Sequence, residues 1–351
     1  MKELVYHFSG KKVTYYVGAA FADLQHFVPG EKCILITDET IYRFHEEKFK
    51  GYLTIVIPAG EQHKTQQTAD HIINQLIEME ATRKTFLVGI GGGVVTDITG
   101  YVASVYMRGI SFGFIPTTIL GQVDASIGGK NGVDVGMYKN LVGVIRQPEF
   151  ILFDFSLLVS LPDEQWVNGF AEIIKHACIR DESLFTFLEK HSINDFQQNG
   201  DLLAQLIERN IVIKSDIVEQ DEFEDRDRKL LNFGHTLGHA IENVFTLLHG
   251  HAVSVGMVAA AELSVDEGLL TAAKKERIVK LLKQYHLPVS ISIRNRHEDV
   301  LKNLKLDKKR SSTDISFILL EDIGKARIKP ISISKISELI HSRFQPLHIE
   351  S

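Results

Sequence analysis

Short apolar runs alternate with helical patterns along the first part of the chain. Residues 32–38, 53–58 and 85–90 are apolar runs bounded by polar or turn residues, and they are predicted strands. Residues 66–79 and 97–106 place apolar side chains at three- and four-residue spacing, which predicts helices. This alternation is typical of a parallel sheet covered by helices, in which ligands bind beyond the carboxyl ends of the strands.

From about Asp163 onward, the pattern of apolar positions becomes helical. Predicted helices cover residues 164–179, 202–219, 230–247, 252–267, 274–285 and 335–343, and one strand-like run covers 315–320. The sequence therefore predicts an α/β N-terminal domain with a parallel sheet, residues 1–162, and a mainly helical domain, residues 163–351.

Length and composition narrow the class of protein. A chain of 351 residues exceeds the usual size of a single core, which favours two domains. The net charge of -6 indicates neither a broad nucleic-acid surface nor a membrane surface. Two distant cysteines, Cys33 and Cys178, favour a reducing compartment over a disulfide framework. The first residues lack a signal-peptide pattern and no apolar run reaches about 18 residues, so a cytoplasmic protein is expected.

Histidines cluster in the helical part of the chain. His235 and His239 stand four residues apart and share one helix face, and His251 follows at a predicted helix start. Imidazole is the commonest metal ligand, so the cluster predicts a divalent-metal site with zinc as the expected ion. Glu172 with two histidines would supply three protein ligands and leave positions open for substrate. The pattern leaves open which histidines bind, and ordinary core histidines are the alternative.

Glycine-rich segments suggest phosphate binding. The segment 91–97 (GGGVVTD) lies between a predicted strand and a predicted helix, where backbone amides favour a pyrophosphate. The segment 124–134 joins glycines to Lys130, with Arg108 before it and Lys139-Asn140 after it, as a phosphate pocket requires. A tight turn and a glycine-rich surface loop, each without a ligand, are the respective alternatives.

Two charged pairs have competing interpretations. In the loop 58–64, Glu61 could accept hydrogen bonds from ribose hydroxyls, but a helix-start Glu61 and a solvated Lys64 are favoured from the pattern alone. Glu172 and Lys175 lie on one helix face, where a solvated ion pair is the ordinary interpretation. The apolar neighbours of Glu172 instead indicate partial burial, and a buried carboxylate needs a cation or a metal.

Taken together, the motifs resemble the 3-dehydroquinate synthase family over most of the chain. They are PAGEQHK (58–64), GGGVVTDITGYVAS (91–104), RGISFGFIPTT (108–118), QVDASIGGK (122–130), KN (139–140), LP (161–162), GFAEIIKH (169–176), NFGHTLGHAIE (232–242), HGHAVSVGM (249–257) and LDKK (306–309). The resemblance implies an α/β dinucleotide-binding domain followed by an all-α C-terminal metal-binding domain. It also implies bound NAD, one zinc ion for which cobalt can substitute, and a homodimer.

The resemblance also implies which residues form the site. The implied zinc ligands are Glu172, His235 and His251. The implied NAD contacts are Asp38, Glu61, Lys64, Gly92, Gly93, Val94, Asp97, Thr117, Thr118 and Lys139. The implied substrate contacts are Arg108, Asp124, Lys130, Asn140, Lys175, Lys214, Arg228, Asn232, His239 and Lys308, with Lys309 as the alternative to Lys308. Six of these are the implied catalytic groups: Lys130, Asn140, Lys175, Lys214, Arg228 and His239.

The implied reaction converts 3-deoxy-D-arabino-heptulosonate 7-phosphate to 3-dehydroquinate and phosphate, a step of the shikimate pathway to the aromatic amino acids. Transient oxidation of C5 by NAD acidifies the C6 hydrogen, phosphate leaves, and the ketone is reduced again. The sugar ring then opens, and an intramolecular aldol reaction closes the carbocycle. The phosphate of the substrate is the implied acceptor of the C6 proton. His239 is the candidate for hydroxyl proton transfer.

Four residues depart from the family pattern, and three other functions compete with the implied one. Tyr138, Asn131, Asp134 and Ser160 stand where the family usually has glycine, threonine, asparagine and threonine. One rival is another sugar-phosphate cyclase acting on sedoheptulose 7-phosphate or glucose 6-phosphate. The others are an NAD- and metal-dependent polyol dehydrogenase and a non-catalytic metal- or nucleotide-binding protein.

Overall fold

The computed structural model describes residues 1–28, 32–136, 138–293, 296–306 and 314–343. The chain divides into two compact units. The first comprises Met1–Trp166 and Asn199–Phe223, and the second comprises Val167–Gln198 and Glu224–Ser351. The domain boundary expected at residues 162 and 163 stays a prediction, because compact units and domains need not coincide.

The described residues of the first unit form nine strands. They are β1 (Lys2–Phe8), β2 (Lys11–Val17), β3 (Cys33–Asp38), β4 (Leu53–Ile57), β5 (Phe86–Gly91), β6 (Phe112–Pro116), β7 (Lys130–Val135), β8 (Tyr138–Ile145) and β9 (Phe150–Phe153). Seven of them form one sheet in the order β1-β2-β9-β6-β5-β3-β4, in which β1 and β2 pair antiparallel and the other neighbours pair parallel. The predicted parallel sheet is confirmed. β7 and β8 form a separate antiparallel hairpin.

The helices of the chain are as follows. They are α1 (Leu24–Phe27), α2 (Glu39–Phe49), α3 (Gln66–Glu78), α4 (Gly93–Val105), α5 (Asp163–Arg180), α6 (Glu182–Leu188), α7 (Ile193–Gln198), α8 (Gly200–Gln220), α9 (His235–Phe245), α10 (His249–Asp266), α11 (Ala272–Gln284), α12 (His297–Leu306) and α13 (Ile333–Arg343). Among the described residues, no helix combines the length and apolarity that a membrane crossing requires.

Local sequence explains where several helices of the first unit begin. Asp38 ends β3 and caps α2, since its Oδ1 accepts hydrogen bonds from the backbone N–H groups of Thr40 and Ile41, each at 2.9 Å. Thr65 caps α3 in the same way, through the N–H of Thr68 at 3.2 Å. Helix α2 therefore starts at the carboxyl end of β3, at the edge of the sheet where ligand-binding residues are expected.

Helix α8 belongs to the first unit although it follows α5, α6 and α7 in the chain. It packs against β1 and against the turn at Gly121–Ala125. Lys2 forms an ion pair with Glu208, and Glu219 accepts a hydrogen bond of 2.8 Å from the backbone of His7. These contacts explain why residues 199–223 group with the sheet.

The second unit is mainly helical, and its core lies between α9, α10, α12 and α13. Almost every residue of α10 from Ala252 to Ser264 is buried, as expected of a helix that is apolar all round. One antiparallel hairpin, β10 (Asp314–Asp322) and β11 (Lys325–Ser332), packs on α10. The strand predicted at 315–320 is thus confirmed. Its pairing with β11 adds a hairpin to a domain that was expected to be all-α.

The predicted helix at 230–247 is wrong over its first part. Asp227–Asn232 forms a 3-10 turn, and α9 begins only at His235. Gly234, with φ of 82°, adopts a left-handed conformation that interrupts the helix and that glycine tolerates. The break matters for function because it places His235 at the first position of α9.

Candidate active site

The sheet of the first unit reverses its order between β3 and β5. The chain runs from β3 outward to β4 and then returns to place β5 on the other side of β3. Such a reversal opens a crevice at the carboxyl ends of the two strands, where nucleotides bind in this class of fold. Asp38 ends β3 and Gly91 ends β5, so two of the segments singled out from the sequence flank this point.

The glycine turn, Gly91–Gly93, leads directly from β5 into α4. Within the described residues, no side chain caps the start of this helix. A Cβ on Gly92 would lie 3.1 Å from the side chain of Thr118, and one on Gly93 would lie 3.1 Å from Ala125. The glycines therefore let the turn pack closely against Thr118 and Ala125 at the start of α4, which is the positive end of the helix dipole. This cradle fits the pyrophosphate of a dinucleotide.

Lys64 is buried rather than solvated, so the interpretation of Lys64 as a solvated charge is wrong. Its ammonium lies 2.5 Å from Asp97 Oδ2 and donates a hydrogen bond of 2.7 Å to Asn140 Oδ1. We call Lys64, Asp97 and Asn140 the Lys64 network. Burial alone would lower the pKa of Lys64, but the carboxylates of Asp97 and Glu61 outweigh it and raise that pKa. The ammonium is therefore charged when it holds its two partners.

Asp134, one of the departures from the family pattern, supports the same network. Its Oδ1 accepts a hydrogen bond of 2.8 Å from the backbone N–H of Asn140, which has a left-handed φ of 57°. Its own N–H donates to the carbonyl of Lys64 at 2.7 Å. A carboxylate at this position thus fixes the turn that presents Asn140.

The remaining candidates of the first unit differ in exposure. Lys214 of α8 is nearly buried and its ammonium lies 2.7 Å from Asp124 Oδ1, so these two predicted substrate contacts are brought together. Lys130, Lys139 and Arg108 have exposed side chains. Arg108 follows Met107 in a turn where both have positive φ, 66° and 49° respectively, a strained conformation that is often found at functional sites.

Three side chains from three helices meet in the second unit. Glu172 of α5 is fully buried, His235 begins α9, and His249 begins α10. The carboxylate Oε1 of Glu172 lies 3.5 Å from Nε2 of His235 and 3.3 Å from Nε2 of His249. One ligand atom from each residue lies within 4.8 Å of the other two. We call these three residues the metal cluster.

The orientation of both imidazoles fits a metal ion. Nδ1 of His235 lies 3.2 Å from the carbonyl of Phe233, and Nδ1 of His249 lies 3.3 Å from Glu242 Oε2. Each ring therefore has an acceptor behind it and turns Nε2 toward Glu172. A histidine ligand usually has its second nitrogen held in this way. Two histidines and one glutamate are a donor set of catalytic zinc, with positions left open for substrate.

Among the described residues, His249 groups with Glu172 and His235, and the expected role of His251 as a metal ligand stays a prediction. Within the described residues, His251 joins no group of three potential ligands. Residues two apart on a helix point in directions about 200° apart, so only one of His249 and His251 can face Glu172. Helix α10 begins at His249, two residues before the histidine that was expected as the ligand.

Lys175 and Glu172 form a buried ion pair, so the partial burial indicated by their apolar neighbours is confirmed. Burial would raise the pKa of Glu172, but Lys175 and His235 hold it well below its ordinary value. Burial, reinforced by the charge of Lys175, holds the pKa of His235 well below its ordinary value. The carboxylate of Glu172 and the neutral imidazole of His235 are the forms that bind a metal. Hydrogen bonds to Glu172 and Glu242 outweigh burial and raise the pKa of His249 to about 10, so a metal has to displace a proton from that ring.

The remaining predicted substrate contacts of the second unit include His239, Arg228 and Asn232. The His239 ring centroid is 5.1 Å from that of His235 and 6.0 Å from that of His249. Arg228 is buried, and Asn232 donates a hydrogen bond of 2.6 Å to Glu224, a residue that sequence reasoning missed. Lys308 and Lys309 lie outside the described residues.

Close packing of α9 against α10 holds the two histidine-bearing helix starts together. A Cβ on Gly256 of α10 would lie 1.9 Å from the carbonyl of Gly234. We expect Gly256→Ala to lower the free energy of unfolding by about 1–3 kcal/mol, because the backbones would have to separate. Urea unfolding measures this change. Gly200→Ala at the start of α8 is the matched control, because a Cβ there meets open space among the described residues. A loss of the same size in Gly200→Ala would contradict the packing argument.

The comparisons with known proteins agree with this geometry. Residues 54–168 match the family model described as 3-dehydroquinate synthase N-terminal, and residues 169–310 match that described as 3-dehydroquinate synthase C-terminal. The 3-dehydroquinate synthase of Thermodesulfovibrio yellowstonii is 41% identical over 297 residues, which are 84% of this chain and 82% of that protein. The 3-dehydroquinate synthase of Dichelobacter nodosus is 39% identical over 343 residues, 93% of each chain.

Comparison with a solved structure identifies the fold. The 2-epi-5-epi-valiolone synthase of Streptomyces hygroscopicus subsp. jinggangensis 5008, solved with NAD+ and Zn2+ bound, superposes with a TM-score of 0.85. It is 27% identical and the match covers 97% of both chains. The fold is thus that of the sugar-phosphate cyclases. Within this class, the two family models and the 41% identical relative show that the chain belongs to the 3-dehydroquinate synthase family. The resemblance stated from the motifs is confirmed.

Proposed function

We propose that this enzyme converts 3-deoxy-D-arabino-heptulosonate 7-phosphate to 3-dehydroquinate and phosphate. The observation that carries the proposal is the metal cluster, in which Glu172, His235 and His249 combine a catalytic donor set with burial. Membership of the family adds the substrate class. When bound, zinc or cobalt supplies Lewis acidity for substrate hydroxyls, and NAD supplies a reversible hydride acceptor.

The residues that would hold the two cofactors differ in character. The metal would be held by the metal cluster, with His249 in place of the His251 expected from the sequence. The pyrophosphate of NAD would lie on the glycine turn, and Asp38 at the end of β3 would accept a ribose hydroxyl. Glu61, Val94, Thr117, Thr118 and Lys139 are proposed as further NAD contacts.

Several groups would hold and polarise the substrate. Lys130, Arg108 and Asn140 would bind the phosphate, and the Lys64 network fixes the amide of Asn140 for that purpose. Lys175 and Lys214 would add positive charge, while Asp124, Arg228, Asn232 and Lys308 complete the proposed substrate contacts. His239 would move a hydroxyl proton. Holding the ring-opened compound, which forms after phosphate elimination and re-reduction, in one conformer would favour the aldol closure.

A homodimer in the cytoplasm is also part of the proposal. It rests on the family resemblance, and analytical ultracentrifugation of the purified chain tests the oligomeric state. A single monomeric species at working concentrations would contradict it.

The reaction itself is tested with purified protein, NAD+, Zn2+ and the heptulosonate phosphate. We expect phosphate release, a product of the mass of 3-dehydroquinate, and no accumulation of NADH absorbance. Treatment with a chelator should stop the reaction, and Zn2+ or Co2+ should restore it. Phosphate release only from sedoheptulose 7-phosphate or glucose 6-phosphate would assign another cyclase activity. Accumulated NADH with a polyol would assign a dehydrogenase.

A further inference from the structure

Both nitrogens of the His249 ring face a carboxylate. Nε2 lies 3.3 Å from Oε1 of Glu172, and Nδ1 lies 3.3 Å from Oε2 of Glu242. Glu172 belongs to the metal cluster, whereas Glu242 lies on α9, seven residues after His235 and on the same face of that helix. Glu242 is therefore behind the ring, on the side away from Glu172.

Burial makes the placement of Glu242 costly unless it has a specific partner. The residue is 6% exposed. A buried carboxylate loses its hydration, and a hydrogen bond to a ring N–H restores part of that loss. His239 and Glu242 also group with His249, each offering an atom within 4.8 Å of the others. The polar side chains of α9 thus converge on the first residue of α10.

The two histidines of the metal cluster are held by different groups. The backbone carbonyl of Phe233 accepts from Nδ1 of His235, whereas a carboxylate faces Nδ1 of His249. A backbone carbonyl fixes the orientation and tautomer of its ring but carries no net charge. A carboxylate orients the ring and also makes the other nitrogen a better electron donor to a metal. His249 is therefore the ligand whose strength depends on a side chain.

We propose that Glu242 is a positioning residue for the metal site. Its carboxylate accepts the hydrogen bond of Nδ1–H of His249, which fixes the tautomer whose unprotonated Nε2 is turned toward Glu172. This inference rests on the proposed function, because it concerns the same metal cluster. Glu242 itself is not a ligand in this arrangement, and its effect reaches the metal through His249.

The test measures metal affinity as well as activity. Zn2+ dissociation constants are determined by competition with a chromophoric chelator for the wild type, Glu242→Gln and Glu242→Leu. We expect Glu242→Leu to bind Zn2+ about 10- to 100-fold more weakly, the usual cost of removing such a partner. Glu242→Gln keeps an acceptor oxygen, so a smaller loss is expected. The absorption spectrum of the Co2+-loaded Glu242→Leu protein should also shift, because the orientation of His249 changes.

A control substitution and a fallback variant make the outcome decisive. The control is Glu321→Gln, which removes a carboxylate of the same unit. Glu321 pairs with Lys325 and Arg327 and not with a histidine of the metal cluster, so Zn2+ affinity should stay within about twofold of the wild type. Should Glu242→Leu fail to fold, Glu242→Gln carries the test through its affinity and Co2+ spectrum. Wild-type affinity and an unchanged Co2+ spectrum in the folded Glu242 variants would overturn the proposal. Retention of Zn2+ by His249→Ala would instead overturn the proposed metal cluster, a separate result.

Discussion

His249→Ala is expected to abolish tight zinc binding and turnover, while His251→Ala keeps both. The reason is geometric, since Nε2 of His249 lies 3.3 Å from Glu172 Oε1. Removal of a direct ligand should weaken Zn2+ binding by at least about 100-fold, more than the usual cost of losing an outer hydrogen-bond partner. Zinc content after dialysis and the rate of phosphate release measure the two effects.

The two substitutions form a matched pair, because both replace a histidine by alanine within the first turn of α10. Equal thermal stability of the two metal-free proteins would exclude unfolding as the cause. Loss of zinc in His251→Ala with retention in His249→Ala would reverse the assignment of the third ligand. Glu172→Ala should behave like His249→Ala, since its carboxylate faces both imidazoles.

Lys64→Met is expected to lower the free energy of unfolding by about 3–5 kcal/mol, measured by urea unfolding without ligand. The substitution removes the ammonium that Asp97 and Asn140 share and leaves the carboxylate without its principal cation. It should also raise KM for NAD, because α4 carries both Asp97 and the glycine turn.

Lys50→Met is the control for Lys64→Met. Lys50 pairs with Glu47 at 2.6 Å, but both side chains are exposed, so a change within about 0.5 kcal/mol is expected. The double variant Lys64→Met/Asp97→Asn should recover part of the lost stability, because the unpaired carboxylate is then removed. Equal effects of Lys50→Met and Lys64→Met would show that burial does not strengthen the Lys64 pair.

The parallel sheet could be predicted because its central strands are continuous apolar runs. All six residues of β5 are buried, and such runs read clearly in a sequence. The hairpin of β7 and β8 was not predicted, since almost all of β8 is exposed and its residues do not alternate between apolar and polar as in a half-buried strand. The pairing of β10 with β11 was missed for a similar reason, because β11 is mostly half-buried or exposed.

The residue types of the metal site could be predicted, but which histidine groups with Glu172 and His235 could not. Helix spacing identifies residues that share a face, yet the choice between His249 and His251 depends on where α10 begins and on what packs against it. The burial of Lys64 was not predicted, for a related reason. A charged residue in a loop is normally solvated, and only the contacts with Asp97 and Asn140 reveal its burial.

The grouping of α8 with the sheet has a consequence for how the protein can be dissected. The backbone passes from one compact unit to the other three times, after Trp166, after Gln198 and after Phe223. A fragment ending at Trp166 would lack α8, so the surfaces of β1 and of the turn at Gly121–Ala125 that α8 packs against would be exposed. An independently expressed nucleotide-binding fragment therefore needs residues 199–223 joined back by a linker. By the same logic, exchange of whole units between relatives requires three recombination points rather than one.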